Sequence, residues 1–163
     1  MTLEHADVSE QQPAVTIVIP AKNEAENVRP LINEIRAAMD GAFDYELIYV
    51  DDGSTDQTFN ILKAIRDEGF KRLTVIRHQQ SVGQSFSVLN GARHGVGEWL
   101  VVLDADGQND PADIPGMLRA LQSAYAADPK KVGIIGHRVN RRDDWVKRLS
   151  SKLANGFRDW MLQ

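Results

Sequence analysis

Cysteine is absent from this 163-residue chain, which excludes disulfides, zinc–thiolate sites and a thiol nucleophile. That absence fits a reducing, cytoplasmic setting. No apolar stretch approaches the roughly 20 residues that a transmembrane helix needs, so the sequence as given reads as soluble. Residues Met1 to Gln12 are polar and acidic, lack an apolar signal region and read as a flexible tail. No Gly-x-Gly-x-x-Gly follows the first apolar run, and no Gly-x-x-x-x-Gly-Lys-Ser/Thr occurs anywhere. A dinucleotide oxidoreductase and a P-loop phosphohydrolase are both excluded on that ground.

What remains is ordinary in bulk and uneven in detail. Hydrophobic residues make up 42% and charged residues 26%, as in a soluble domain long enough to build one core. The net charge of -4 hides a polarity. From His137 to Gln163 there are seven basic residues (Arg138, Arg141, Arg142, Lys147, Arg148, Lys152, Arg158) against three acidic ones (Asp143, Asp144, Asp159). The preceding part is correspondingly acidic. A basic end suits an anionic partner such as lipid phosphate or a membrane surface; a solvated helix face is the equal alternative.

Apolar runs and helical periodicities alternate along the chain. Strands are expected over Val15 to Pro20, Glu46 to Val50, Leu73 to Arg77, Trp99 to Leu103 (buried) and Val132 to Gly136. Between them, helices are expected over Ala25 to Met39, from a cap at Ser54-Thr55-Asp56 to Gly69, over Gly83 to His94 with Val88 and Leu89 on the apolar side, and from Pro111 to about Ala126. Asp143 to Leu162 reads as a long final helix. Alternation of this kind implies an α/β fold, a largely parallel sheet flanked by helices on both faces, in a single domain. The organisation expected is a tail over 1–12, an α/β domain over 13–140 and an amphipathic basic helix over 141–163.

In open parallel sheets, ligands lie beyond the carboxyl ends of the strands. Three polar clusters fall there: Pro20-Ala21-Lys22-Asn23-Glu24, Asp51-Asp52-Gly53-Ser54 and Asp104-Ala105-Asp106-Gly107-Gln108. Carboxylates gathered on one rim repel one another unless a positive group shares the space. A divalent cation bridging them to a nucleoside diphosphate answers that problem, because hard cations prefer oxygen ligands. A phosphate-receiver domain also gathers acids at strand ends, but here they follow the second and fourth strands, and His137-Arg138 stands where its lysine is expected.

The segments Val18-Ile19-Pro20-Ala21-Lys22-Asn23-Glu24, Val50-Asp51-Asp52-Gly53-Ser54, Gly83-Gln84-Ser85 and Leu103-Asp104-Ala105-Asp106-Gly107-Gln108 resemble, in order and spacing, the family 2 inverting glycosyltransferases with the GT-A (Rossmann-like) fold. The branch is similar to dolichyl-phosphate mannosyltransferase and bacterial polyprenyl-phosphate glycosyltransferases, and the resemblance covers roughly Val15 to Arg138. It implies a nucleotide-sugar donor (a GDP- or UDP-sugar), Mg2+ or Mn2+, a polyprenyl phosphate acceptor and no nucleic acid. It also implies that Pro20, Ala21, Asn23 and Glu24 line the base and ribose, that Asp51 and Asp52 hydrogen-bond them, and that Asp104, Asp106 and Gln108, with Ala105 between, bind the metal and diphosphate. Arg138 matches a basic position that would hold donor or acceptor phosphate, so the expected catalytic set is Asp104, Asp106 and Arg138. Gln84 and Ser85 open a helix whose free N–H groups suit a phosphate; ordinary capping is the equal alternative. For Asp51 and Asp52 the alternative is turn formation, which Asp-Gly-Ser favours.

Trp145, Leu149, Leu153, Phe157 and Trp160 recur at near-helical spacing among Arg148, Lys152 and Arg158. One reading is an interfacial helix at the cytoplasmic face of a membrane; the other packs this stripe on the sheet or on a second subunit as a homodimer. Family members usually continue past this helix, whereas the sequence stops at Gln163, so the resemblance implies a C-terminally truncated chain. A function of a different class stays open beside the enzyme: a non-catalytic nucleotide-binding or scaffolding domain acting through its basic helix.

Overall fold

The computed structural model describes residues 13–130 together with Gly133, Ile134 and Gly136. The chain divides into two compact units, Met1–Val132 and Gly133–Gln163, and the fold described is that of the first. The expected tail, Arg138 and the final helix lie outside the described residues. Of the expected fifth strand, Gly133, Ile134 and Gly136 carry no regular secondary structure, and the residues between and before them lie outside the description. Two glycines in five positions are poor strand formers.

Four strands form one parallel sheet: β1 (Val15–Ala21), β2 (Tyr45–Asp51), β3 (Leu73–Arg77) and β4 (Trp99–Val102), in the order β3-β2-β1-β4. β1 pairs with β2 from Val15↔Tyr45 to Ala21↔Asp51, and with β4 from Val15↔Trp99 to Val18↔Val102. Helices α1 (Ala25–Met39), α2 (Thr58–Asp67), α3 (Gln84–His94) and α4 (Ile114–Ala127) connect or follow the strands, with a 3-10 turn at Pro111–Asp113 leading into α4. The central strands β1 and β2 read as nearly unbroken apolar runs because both their faces are covered.

The two faces are covered differently. Ile17, Ile19, Leu47 and Tyr49 point into the larger cluster, where α1 contributes Val28, Leu31, Ile32, Ile35 and Met39 at three- and four-residue spacing. Leu62 and Ile65 of α2 and Ile114 and Leu118 of α4 join the same cluster. Val18, Ile48 and Val50 face the other way, toward α3. That helix approaches with Ser87 and Gly91, its two buried residues. A Cβ built on Gly91 would lie 2.5 Å from Val18 Cγ1, so only glycine lets the helix lie this close. The expectation that Val88 and Leu89 form the packed side is therefore corrected: small residues set the contact, and Leu89 stays 46% exposed.

A second correction concerns β4. It is an edge strand among the described residues, and Leu100 and Val102 on one of its faces remain 50% and 47% exposed. α3 lies over β1 and β2, so it does not cover that face of β4. Because β1 is flanked by β2 on one side and by β4 on the other, the connections diverge at β1. The crevice at the carboxyl ends of β1 and β4 is thus the switch point where this architecture places ligands.

Candidate active site

The rim begins where β1 ends. Pro20 and Ala21 are buried, and Ala21 belongs to the hydrophobic cluster, so their side chains are core rather than surface. The chain then turns at Asn23, which holds a left-handed φ of 58°. An asparagine tolerates this region when its amide is bonded locally. Here Asn23 Oδ1 accepts from Thr55 N at 2.9 Å and from Thr55 Oγ1 at 3.3 Å, while Asn23 N donates to Ser54 Oγ at 2.9 Å. Glu24 N donates to Thr58 Oγ1 at 2.9 Å, and Ala25 N to Asp56 Oδ2 at 3.2 Å. The β1–α1 and β2–α2 loops are thereby joined by side chains from the second to amides of the first. Asp56 also accepts from Thr58 N and Oγ1, starting α2. Slight burial works to raise its carboxyl pKa, but the Thr58 and Ala25 donors outweigh it and hold the group below its usual value.

The two aspartates ending β2 differ sharply. Asp51 is fully buried; its Oδ1 accepts from Ser54 N at 3.0 Å. Its Oδ2 lies 3.2 Å from Arg77 Nε, yet it has no hydrogen-bond partner. The pair is a charge contact without directed bonding, which leaves an acceptor lone pair unsatisfied at the rim. Arg77 itself stacks over the Phe59 ring at 4.2 Å.

Asp52 is 5% exposed and saturated. Oδ1 takes His78 Nδ1 at 2.9 Å and Val82 N at 2.8 Å; Oδ2 takes Ser81 Oγ at 2.7 Å and Gly83 N at 2.9 Å. Burial alone would raise its pKa, but the donors from Val82, His78, Ser81 and Gly83 together hold it far below the ordinary carboxylate range. The neighbouring Gly53 has φ 69°, and a Cβ there would lie 2.7 Å from Ser81 N and 2.8 Å from the Gln80 carbonyl carbon. The 78–83 loop is thus packed backbone against backbone on the β2–α2 turn.

The third cluster follows β4. Asp104 Oδ1 accepts from Gln84 Nε2 at 2.8 Å, and exposed Asp106 Oδ1 accepts from Gln108 N at 3.0 Å in a local turn. Ala105 is buried in the hydrophobic cluster, and Gly107 adopts φ 69°. Ser85 is exposed in the first turn of α3. The acidic groups of β2 and β4 therefore do converge, and on consecutive residues: Asp52 binds the amide of Gly83, and Asp104 binds the side chain of Gln84. The start of α3 bridges the crevice.

No three His, Cys, Asp or Glu side chains gather within reach of one metal ion among the described residues. The donors at the end of β4 are nonetheless all hard oxygens, and the bonds from Gln84 and from Gln108 N fall on Oδ1 of Asp104 and of Asp106. Such a set fits Mg2+ or Mn2+ with most positions left to a diphosphate and water. Sequence reasoning missed His78, Ser81, Val82 and Asn90. The signal available was that the Gln79–Gly83 stretch follows a third strand end on the same rim.

Comparison with known proteins now bears on this geometry. The model of the family described as "Glycosyl transferase family 2" matches residues 16–160. The undecaprenyl-phosphate 4-deoxy-4-formamido-L-arabinose transferase of Edwardsiella ictaluri (strain 93-146) is 34% identical over 143 residues, covering 87% of this chain and 42% of that protein. The protein of the same description from Enterobacter sp. (strain 638) is 34% identical over 142 residues, covering 86% and 42%. The chain thus spans less than half the length of these relatives. Among solved structures, the mannosyltransferase PcManGT from Pyrobaculum calidifontis, in complex with GDP-Man and Mn2+, aligns with TM-score 0.59 and 25% identity over 69% of this chain and 33% of that one. S. aureus TarS 1-349 with UDP-GlcNAc aligns with TM-score 0.56 and 20% identity over 69% and 32%, a likeness of fold. The expected GT-A arrangement is borne out for the described sheet.

Proposed function

Since the chain belongs to glycosyl transferase family 2, we propose that it is the donor-binding part of a glycosyltransferase that moves a sugar from a nucleoside diphosphate to a polyprenyl phosphate with inversion. The observation that carries this reading is the shared start of α3, where Gly83 N bonds Asp52 beyond β2 and the Gln84 side chain bonds Asp104 beyond β4. The resemblance to undecaprenyl-phosphate transferases supports the lipid phosphate acceptor, and the GDP-Man and Mn2+ of the mannosyltransferase structure support the donor class and cofactor.

In this reading Asp104, Asp106 and Gln108 hold Mg2+ or Mn2+, which when bound neutralises charge on the departing diphosphate. Asn23, Glu24 and Asp51 form the side of the crevice facing base and ribose, with Asp51 Oδ2 itself buried beside Arg77. The free amides at the start of α3, with Gln84 and Ser85, orient the diphosphate. For Arg138 the sequence resemblance supports a role in holding donor or acceptor phosphate. An oxygen of the acceptor phosphate attacks the anomeric carbon from the face opposite the diphosphate; the new carbon–oxygen bond forms as the old one breaks. No protein nucleophile is needed. A phosphate monoester is mostly dianionic at neutral pH, with a second pKa near ~6, so no general base is needed either. Among the described residues no helix is long and apolar enough to cross a membrane; the lipid acceptor places the reaction at a membrane surface.

Calorimetry with GDP and UDP, each with and without Mn2+, tests the reading. Binding of one nucleotide that strengthens with Mn2+ and is lost in Asp106→Ala is expected. Binding indifferent to the metal, or none to either nucleotide, refutes it in favour of a non-catalytic role.

A further inference from the structure

We propose that Asp52 is a positioning residue, which anchors the 78–83 loop and thereby sets the first turn of α3 so that Gln84 reaches Asp104; its functional consequence, though not its structural content, rests on the reading above. An ionised carboxylate offers about four acceptor positions. In Asp52 all four are taken by His78 Nδ1, Ser81 Oγ, Val82 N and Gly83 N, and every one of these donors lies in the segment joining β3 to α3. A base or ribose group could bond to this carboxylate only by displacing one of them and leaving a loop donor unpaired in a site that is 5% exposed. The carboxylate of the adjacent aspartate, Asp51, is buried with different partners: Oδ1 accepts from Ser54 N, and Oδ2 lies 3.2 Å from Arg77 Nε. The side chain that holds the loop before α3 is therefore that of Asp52 and not that of its neighbour.

A second attachment shows what the anchor controls. His78 bonds Asp52 through Nδ1 and Asn90 through Nε2, at 2.9 Å each. With Asn90 Nδ2 donating, Nε2 accepts and the proton resides on Nδ1, directed at Asp52. Asn90 sits in the second turn of α3, whereas Gly83 immediately precedes its first. Tying the helix at both places fixes its rotation about its own axis as well as its starting point. Gln84 then faces β4, with its amide 2.8 Å from Asp104. Gly53 completes the seat, because its missing side chain admits Ser81 and Gln80 against the turn.

The test uses the full chain, with Asp52→Asn and Asn90→Ala. Asn90 bonds His78 and is not among the metal and nucleotide groups assigned above, so its effect is expected through the loop and helix. In the unliganded protein, Asp52→Asn should speed hydrogen exchange at Val82 and Gly83 by about tenfold or more, and Asn90→Ala should reproduce part of that change. In calorimetry with the nucleotide that the wild type binds, the ratio of Kd without Mn2+ to Kd with Mn2+ should fall on the order of tenfold in Asp52→Asn and partly in Asn90→Ala. A general loosening of the fold would not move that ratio. The proposal is overturned if Val82 and Gly83 stay protected in Asp52→Asn, or if that variant loses nucleotide affinity by the same factor with and without Mn2+, as a direct contact to base or ribose would. It is also overturned if Asn90→Ala leaves the Mn2+ ratio unchanged while Asp52→Asn abolishes it. Should Asp52→Asn fail to fold, Ser81→Ala removes one donor and carries the same measurements. If the wild type binds neither nucleotide, the glycosyltransferase reading fails, and the exchange experiment alone decides whether Asp52 is the anchor.

Discussion

Gly53→Ala and Gly41→Ala form a matched pair that isolates how tightly the 78–83 loop is seated. Both glycines hold positive φ, 69° and 79° respectively. An L-residue in this region costs roughly 1–2 kcal/mol, and alanine recovers about 0.4–1 kcal/mol by restricting the unfolded chain. A Cβ at Gly41 meets nothing within 4 Å, so that substitution should cost only the dihedral difference, on the order of 0.5–1 kcal/mol. At Gly53 the same Cβ would stand 2.7 Å from Ser81 N and 2.8 Å from the Gln80 carbonyl carbon. These are backbone atoms, which cannot swing aside as a side-chain tip can. Overpacking of that kind typically adds about 1–3 kcal/mol. If the loop moves to relieve it, Ser81 Oγ and Val82 N leave Asp52, and hydrogen bonds to a charged group contribute about 1.5–3 kcal/mol. Urea denaturation should therefore show Gly53→Ala destabilised beyond Gly41→Ala by about 1–3 kcal/mol, with unchanged slope. Equal costs, within about 0.5 kcal/mol, would refute the seating of the loop on this turn.

Glu46 lies at the opposite end of β2, where Oε1 accepts from Thr16 Oγ1 and Val96 N at 2.6 Å each and from Gly97 N at 3.3 Å. Glu46→Ala should cost about 2–3 kcal/mol in urea and leave nucleotide affinity unchanged; a comparable loss of binding would contradict the separation of the two ends. Because Asp52 is held below its unfolded pKa, its contribution is fully present above about pH 4 and is lost as pH falls toward its folded value. The acid-side fall of stability should thus be shallower in Asp52→Asn, and an unchanged fall in the urea midpoint below about pH 4 would count against the saturated carboxylate. At Asn23, alanine loses the Thr55 bonds and keeps an unfavourable φ of 58°, whereas glycine loses only the bonds. Asn23→Ala should be less stable than Asn23→Gly by about 1 kcal/mol, and thermal melts placing the two together would show that no backbone penalty is stored there.

Much of the fold is legible in the sequence because local and tertiary preferences agree. Val28, Leu31, Ile32, Ile35 and Met39 recur at helical spacing and are the residues that α1 buries. The runs over β1, β2 and β3 are read to within one residue at each end. Where the reading errs, periodicity has no access to what lies on the other side. Leu100 and Val102 are as apolar as the core of β1, yet their exposure depends on where α3 lies and on β4 being at the edge among the described residues. The mistake over Leu89 has the same root. Hydrophobicity ranks Leu89 above Gly91, but close approach to Val18 rewards the residue with no side chain.

The candidate site divides along a similar line. Strand ends can be found from sequence, so the clusters at Asn23, Asp51 and Asp104 are legible as groups that share a rim. The partner of each carboxylate is not, because it is chosen by loop conformation. Asp51 and Asp52 are adjacent and identical in type, and successive strand residues point to opposite faces. One consequently enters the sheet side against Arg77 and Ser54, and the other meets the loop before α3. Their sequence neighbourhood is one motif, while their chemistry is two: one keeps an unsatisfied acceptor, and the other has spent all its acceptors on protein donors. A motif read as a single unit therefore assigns the right location to both residues, while the partners of each carboxylate are set by the loops around it.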